Sequence, residues 1–265
     1  MDDKDEVFVT IIGAEGRMGQ ELLANAPSVD GVSVAEAVVR PESPADGSEM
    51  GPEGVLATSD METAIENAEV VVDFSAPEAC LQAAEFAARY GTPLVSGTTG
   101  LSDEQVAELK GRSSDVAILW AANFSVGVNT LERLVELATR AVADGFDVEV
   151  LEAHHRHKVD APSGTALFLG QAAARARGAD LEEVGVCSRE GHTGERSDDE
   201  IGFQTIRGGD IVGEHTVLLC GAGERIELTH RATDRGIFAR GALRAAGWLA
   251  GRQPGWYTMK DVLFE

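Results

Sequence analysis

The chain has 265 residues, 43% of them hydrophobic, and its 45 acidic side chains against 22 basic ones give a formal net charge of -23. This length supports one large core or two smaller ones, and two linked domains is the preferred reading; the charge repels nucleic acid phosphates and anionic membrane surfaces. No apolar run approaches the roughly 18 residues of a membrane span, and the acidic N-terminus lacks the basic and apolar regions of a secretory signal, so a soluble cytoplasmic protein is expected.

The first half alternates β-branched runs with Ala-rich helical segments: VFVTII, VSVAEAVV, VVVDF before PEACLQAAEFAARY, and PLVSG before DEQVAELKG. Strands buried on both faces read as continuous Val/Ile runs, and the helices between them supply parallel crossovers. This half is therefore predicted to be a doubly wound α/β domain. Between its first strand and first helix, GAEGRMG places Gly13, Gly16 and Gly19. Glycines there let backbone approach a pyrophosphate, while amides at the helix start attract its charge. The spacing G-x-x-G-x-x-G also suits an ordinary tight turn, but its place after the first strand favours a dinucleotide site.

The second strand ends at Val39 and Arg40; Glu36 falls early and Glu42 follows a proline. An arginine without an adjacent carboxylate suits a 2′-phosphate and points to NADPH, with NADH as a second option. A plain surface arginine is the competing reading. SGTTG and AANFSVGVN follow later strands, at the carboxyl ends where ligands of open α/β sheets lie.

Past a helix beginning near Val128, with apolar Leu131, Leu134, Val135 and Ala138, the pattern changes. DVEVLEAHH alternates like a strand, TALFLGQAAARARG reads as a helix, and HTVLLCGAGERIELTH as two strands joined by a glycine turn. The second half is predicted to be α+β with a mixed sheet, with Gly185 to Asp199 as an exposed loop and a last helix near Ile237 to Leu249 returning to the first domain. Cys80, Cys187 and Cys220 are too scattered for a disulfide framework or zinc site and are expected to be buried apolar side chains.

EAHHRHKVDAPSGTAL, from Glu152 to Leu167, runs against the acidic composition: it holds three of the six histidines and one of four lysines. A metal site would need further ligands than Glu152 provides, and alternation along an extended segment makes Arg156 and His157 candidates for a solvated basic face. Ser163, Gly164 and Thr165 stand where a helix starts, so hydroxyls and amides there can hold a carboxylate. With Lys158 they form an anion cradle, and histidine beside it can move a proton near neutral pH. A nicotinamide loop in one domain and an anion cradle with an acid in the other point to hydride transfer.

Taken together, GAEGRMG, DFSAPEA, SGTTG, AANFSVGVN, EAHHRHKVDAPSGTAL and RGGDIVGEHTV resemble the dihydrodipicolinate reductase (4-hydroxy-tetrahydrodipicolinate reductase) family of the diaminopimelate and lysine pathway, from the first strand to near the C-terminus. The resemblance implies a Rossmann-like nucleotide-binding domain over residues 1–126 and 235–265, and a substrate and tetramerisation domain over 127–234. It implies a cyclic dicarboxylate substrate, NADPH and/or NADH as cofactor, no metal, and a homotetramer. By the family pattern His154 is the catalytic proton donor or acceptor and Lys158 the proton donor, with His155, Gly164 and Thr165 on the substrate. Gly13, Ala14, Glu15, Gly16, Arg17, Met18, Arg40, Gly97, Thr98, Thr99, Ala121, Ala122, Asn123 and Phe124 line the nucleotide, and Arg235 reaches it from the returning segment.

Two positions depart from the family pattern: Val39, where many members carry an acid, and Ala76, where many carry a basic or hydrogen-bonding side chain. An amino-acid or imine dehydrogenase would need a different substrate loop, and a non-catalytic nucleotide sensor would not need both His154 and Lys158. Low lysine beside abundant Asp and Glu suggests a high-salt cytoplasm, where counterions screen surface carboxylates.

Overall fold

A computed structural model describes residues 6–142 and 145–265. The acidic start, residues 1–5, lies outside the described residues. The chain divides into two compact units, one reaching Val126 and taking in Gly236–Glu265, the other spanning Gly127–Arg235.

In chain order the first unit holds β1 (Val7–Ile12), α1 (Arg17–Asn25), β2 (Val32–Val38), β3 (Glu49–Met50), β4 (Val55–Thr58), α2 (Met61–Glu66), β5 (Val70–Asp73), α3 (Pro77–Tyr90), β6 (Leu94–Ser96), α4 (Asp103–Arg112) and β7 (Ala117–Trp120). The second holds α5 (Val126–Val142) from its second residue on, β8 (Asp147–His154), α6 (Gly164–Arg177), α7 (Leu181–Val184), β9 (Gly185–Val186), β10 (Ile201–Arg207), β11 (Gly213–Gly221) and β12 (Glu224–Ala232). The chain then returns to the first unit as α8 (Gly236–Leu249), β13 (Gly255–Tyr257) and α9 (Met259–Phe264).

The first sheet runs β13-β7-β6-β5-β1-β2-β4-β3, parallel except for the short β3–β4 pair. Its strands are apolar on both faces because helices cover both. Val70 and Val72 of β5 face one core with α1, α8 and α9, through Leu22, Leu243 and Met259. Val71 between them faces the other, with Ile65 of α2, Ala83 and Ala87 of α3, and Leu109 of α4. The strand period of two thus splits one valine run between two cores. This is the expected doubly wound α/β architecture. The edge strand β13 and the capped helix α9, whose Thr258 and Asp261 form a capping box, were not anticipated.

The second sheet is mixed, in the order β12-β11-β8-β10-β9: β10 runs parallel to β8 and β9, and β11 antiparallel to β8 and β12. One face packs on α5 and α6 through Leu131, Val135, Leu169, Ala173, Val150 and Val217. Burial alternates strictly along β8, so Glu152 and His154 share the inward row with Val148 and Val150. α5 starts at Val126, earlier than Val128, and Leu134 is exposed rather than packed. The span from Gly185 begins as β9 before turning to exposed loop, which Arg189 and Arg196 tie to Glu149 and Asp147 at 2.8 and 2.9 Å. Cys80 is buried as expected, but Cys187 is exposed in that loop and Cys220 half-buried. The thiols do not share one apolar role, because the loop around Cys187 has no core to enter.

Candidate active site

In the first unit the glycine-rich loop leaves β1 at Ile12 and enters α1. Gly13 has φ +80°, and a methyl group on it would lie 2.6 Å from the carbonyl oxygen of Phe74, so both backbone angle and space demand glycine. At Gly19 a methyl would press into the backbone of Gly13 and Ala14, which holds α1 tight against the loop. Gly16 caps α1 without a side-chain acceptor, and the first turn carries no acid. Its leading amides therefore face outward as a positive, anion-accepting end.

Phe74 links this loop to the later segments. A methyl on Gly97 would enter its ring, and that ring lies against Phe124, tilted by 58° with centroids 5.5 Å apart. Thr98 is buried: its hydroxyl donates to Asp73 Oδ2 at 2.8 Å and accepts from the Ser75 amide at 3.0 Å, while its carbonyl accepts from Trp120 Nε1 at 3.0 Å. The Thr98 side chain is thus committed to shaping the loop, whereas Thr99 is exposed. Asp73 is the residue that the sequence reading passed over here; it also accepts from the Ser96 and Ser75 hydroxyls.

Arg40 stands at the mouth of a cavity of about 360 Å³, lined also by Gly13, Val39, Asp60, Ser75 and Phe86. Its side chain is 87% exposed, with Nε 3.8 Å from Glu15 Oε2. Glu15 also accepts from the Ser43 hydroxyl at 2.8 Å. Val39 points into the core and Ala76 is exposed at the start of α3, so neither supplies a polar contact.

In the second unit β8 delivers Glu152 and His154, and the loop after it delivers His155, Lys158 and Ser163. Lys158 Nζ is 2.8 Å from Asp160 Oδ1, and this ammonium holds the Asp160 carboxyl below its usual range. Ser163 caps α6, accepting from the Ala166 amide at 3.2 Å. Gly164 and Thr165 are the first residues of α6, at the end whose amides suit a carboxylate. His155 Nε2 lies 3.3 Å from an Nη of Arg235, so Arg235 is placed beside a residue expected on the substrate.

Burial pushes the His154 imidazole below its ordinary pKa against the opposing pull of Glu152, and burial with His154 nearby brings His215 down to about 4. Both rings are neutral in neutral solution and stand edge to face, 5.1 Å apart. Arg207 and His215 both lie in RGGDIVGEHTV, whose residues have no role legible from the sequence. His215 Nε2 is 3.0 Å from Ser163 Oγ, and Arg207 forks onto Glu152 at 2.7 Å. Among the described residues there is no group of three or more His, Cys, Asp or Glu side chains able to hold a metal ion.

Residues 7–124 match the family description "Dihydrodipicolinate reductase, N-terminus" and residues 127–263 match "Dihydrodipicolinate reductase, C-terminus". The chain belongs to the dihydrodipicolinate reductase family. It is similar over 261 residues, at 51% identity, to 4-hydroxy-tetrahydrodipicolinate reductase of Alkalilimnicola ehrlichii, covering 96% of this chain and 98% of that one. Its likeness to the enzyme of the same name from Thiobacillus denitrificans is also 51%, over 97% and 98% of the two chains. Among solved structures, dipicolinate-bound dihydrodipicolinate reductase from Paenisporosarcina sp. TG-14 shares the fold with a TM-score of 0.78 at 22% identity, over 96% of this chain and 97% of that one. Scyllo-inositol dehydrogenase from Lactobacillus casei, solved with NAD(H), has a TM-score of 0.59 at 13% identity, over 98% and 93%. Within the family, the first unit supplies a pyridine-nucleotide fold, and no helix among the described residues is long and apolar enough to cross a membrane.

Proposed function

We propose that this protein reduces 4-hydroxy-tetrahydrodipicolinate to tetrahydrodipicolinate with loss of water, using NAD(P)H, in the diaminopimelate route to lysine. The observation that carries the reading is the grouping of His154, Lys158 and the first residues of α6 around one loop, in a chain of this family. The same reading makes the first unit the nucleotide domain and 127–234 the substrate and assembly domain of a cytoplasmic homotetramer.

The first unit fits a nicotinamide nucleotide: its glycines let the loop fold tightly between β1 and α1, and the leading amides of α1, with no acid in the first turn, suit the charge of a pyrophosphate. Bound there, the nucleotide supplies hydride. Gly13, Ala14, Gly16, Arg17, Met18, Gly97, Thr99 and Ala121 to Asn123 would hold it, with Thr98 and Phe124 acting from behind. Arg40, exposed at the cavity mouth, would take a 2′-phosphate and favour NADPH. Its present neighbour Glu15 would have to yield that guanidinium.

Gly164 and Thr165 hold a substrate carboxylate at the α6 N-terminus and His155 orients the ring. After the 4-hydroxyl leaves as water, the conjugated imine accepts two electrons with the hydride, and negative charge develops on the ring. Lys158 stabilises that charge and donates the proton that completes the reduction, and neutral His154 exchanges a proton at its free nitrogen. Cationic donors fixed in advance favour the charged transition state over the substrate.

The test generates substrate by coupling pyruvate and aspartate semialdehyde through the preceding synthase and follows absorbance of NADPH, then NADH. Substrate-dependent oxidation is expected, faster with NADPH. Lys158→Ala and His154→Asn should each lower turnover by about 10²- to 10⁴-fold with nucleotide affinity retained; unchanged turnover would remove their roles.

A further inference from the structure

Glu152 carries no assigned role in the reaction, yet it is the most heavily hydrogen-bonded side chain near His154. It is 2% exposed, and five donors converge on it. Oε2 receives Arg207 Nη1 at 2.7 Å and faces His154 Nδ1 at 2.6 Å. Oε1 receives Arg207 Nη2 at 2.7 Å, the Ser163 amide at 3.1 Å and the Thr205 hydroxyl at 3.2 Å. Burial alone would raise this carboxyl; the Arg207 fork and His154 outweigh it and bring it to about 2. Glu152 is therefore ionised throughout the range in which the protein works.

An ionised carboxylate can only accept hydrogen bonds. The nitrogen that faces it at 2.6 Å must carry a hydrogen, so neutral His154 is the Nδ1–H tautomer and its lone pair lies on Nε2. That second nitrogen points at Gly213, where a methyl group would stand only 3.2 Å from it. Glycine at this point of β11 keeps the lone pair clear.

We propose that Glu152, pinned by Arg207, is a positioning residue that fixes the tautomer and ring direction of His154, so that Nε2 is the atom that exchanges a proton during reduction. When Nε2 takes a proton the ring becomes imidazolium and Glu152 stabilises it without itself being protonated; when Nε2 releases the proton the starting tautomer returns. The groups facing His154 are Glu152 on its own strand, Lys158 on the following loop, Arg207 on β10 and His215 on β11. Glu152 alone among them favours the imidazolium. The proposal rests on the reading that His154 exchanges a proton with substrate.

The experiment uses the full chain labelled with ¹⁵N in its histidine rings, with the His154 signals assigned by their loss in His154→Asn. Long-range ¹H–¹⁵N spectra at neutral pH should show a protonated Nδ1 and an unprotonated Nε2. Glu152→Gln keeps the shape but offers an amide donor to Nδ1, so the ring should convert to the Nε2–H tautomer. Turnover should then fall by about 10²- to 10⁴-fold, as for other histidines held in the wrong tautomer. The nucleotide KM should move less than about threefold, and the acid limb of the turnover profile should shift to lower pH, because the group favouring imidazolium has gone. An Nε2–H tautomer in the unaltered protein would overturn the proposal. So would a Glu152→Gln protein with the original tautomer and turnover within about threefold. If that variant does not fold, the spectrum of the unaltered protein still decides the tautomer, and Gly213→Ala tests Nε2 directly through lost turnover at an unchanged nucleotide KM. Full turnover in His154→Asn would instead remove the catalytic reading of His154 while leaving the tautomer result standing.

Discussion

Replacing Arg207 with leucine should leave Glu152 buried without its counterion, and the cost follows from the ionisation of that carboxyl. Its pKa is brought from an ordinary 4.5 to about 2 in the folded protein, which corresponds to about 3 kcal/mol of preferential stabilisation of the carboxylate. Because the folded value is the lower one, this stability is fully present above pH 4.5 and is lost as pH falls towards 2. Arg207 supplies the larger part of that stabilisation and His154 the rest, so Arg207→Leu should unfold in urea with a free energy lower by about 2–3 kcal/mol at pH 7, near the low end for removing one partner of a buried ion pair. At pH 3.5 the difference should shrink by about 1 kcal/mol, since the unfolded carboxyl is by then largely protonated. The assay is urea unfolding followed by far-UV circular dichroism at several pH values, with both proteins at one concentration. A loss under about 1 kcal/mol at pH 7, or a difference that grows as pH falls, would refute the reasoning.

Gly19→Ala should drive a methyl into the backbone of Gly13 and Ala14, weakening NADPH binding at least tenfold in a fluorescence titration while substrate-analogue binding to the second unit persists. Arg40→Ala should raise the KM for NADPH several-fold and leave that for NADH within about twofold, measured as paired initial rates; equal changes would assign Arg40 to the surface. Thr98→Val removes one of the two acceptors of the Ser75 amide and a donor to buried Asp73, which should cost about 1–3 kcal/mol in urea unfolding and raise the nucleotide KM through the displaced SGTTG backbone. Stability in molar salt should equal or exceed that in dilute buffer, because counterions screen the net charge of -23; unfolding in salt would count against a high-salt habitat.

Much of the site was legible because its parts are local. The glycine loop announces itself between a β-branched run and a helix, and Gly13 with its positive φ occupies the turn that requires it. The α6 cap at Ser163 follows from a hydroxyl residue ahead of an apolar helical pattern. Asp73 and Phe74 were harder to see: a buried carboxylate bonded only to hydroxyls and amides, and a phenylalanine whose carbonyl crowds Gly13 and whose ring crowds Gly97, leave no spacing signature. Cys187 was misjudged because apolar character alone does not say which side chains find a core.

The sequence by itself determined the doubly wound alternation, the strand period that turns Glu152 and His154 to the same side of β8, and the short-range order of Lys158, Ser163 and Gly164. Each depends on backbone geometry or on neighbours a few residues apart, which repeat visibly along a chain. Tertiary structure alone decided that Arg207, 55 residues from Glu152, would fork onto it, and that His215, 52 residues from Ser163, would meet its hydroxyl. Those contacts depend on which strands pair and in what register, with Arg207 opposite His154 and His215 opposite Glu152. Register is set by the burial of a whole sheet face rather than by any local pattern, so the residues that orient the histidine emerge only once the sheet has formed.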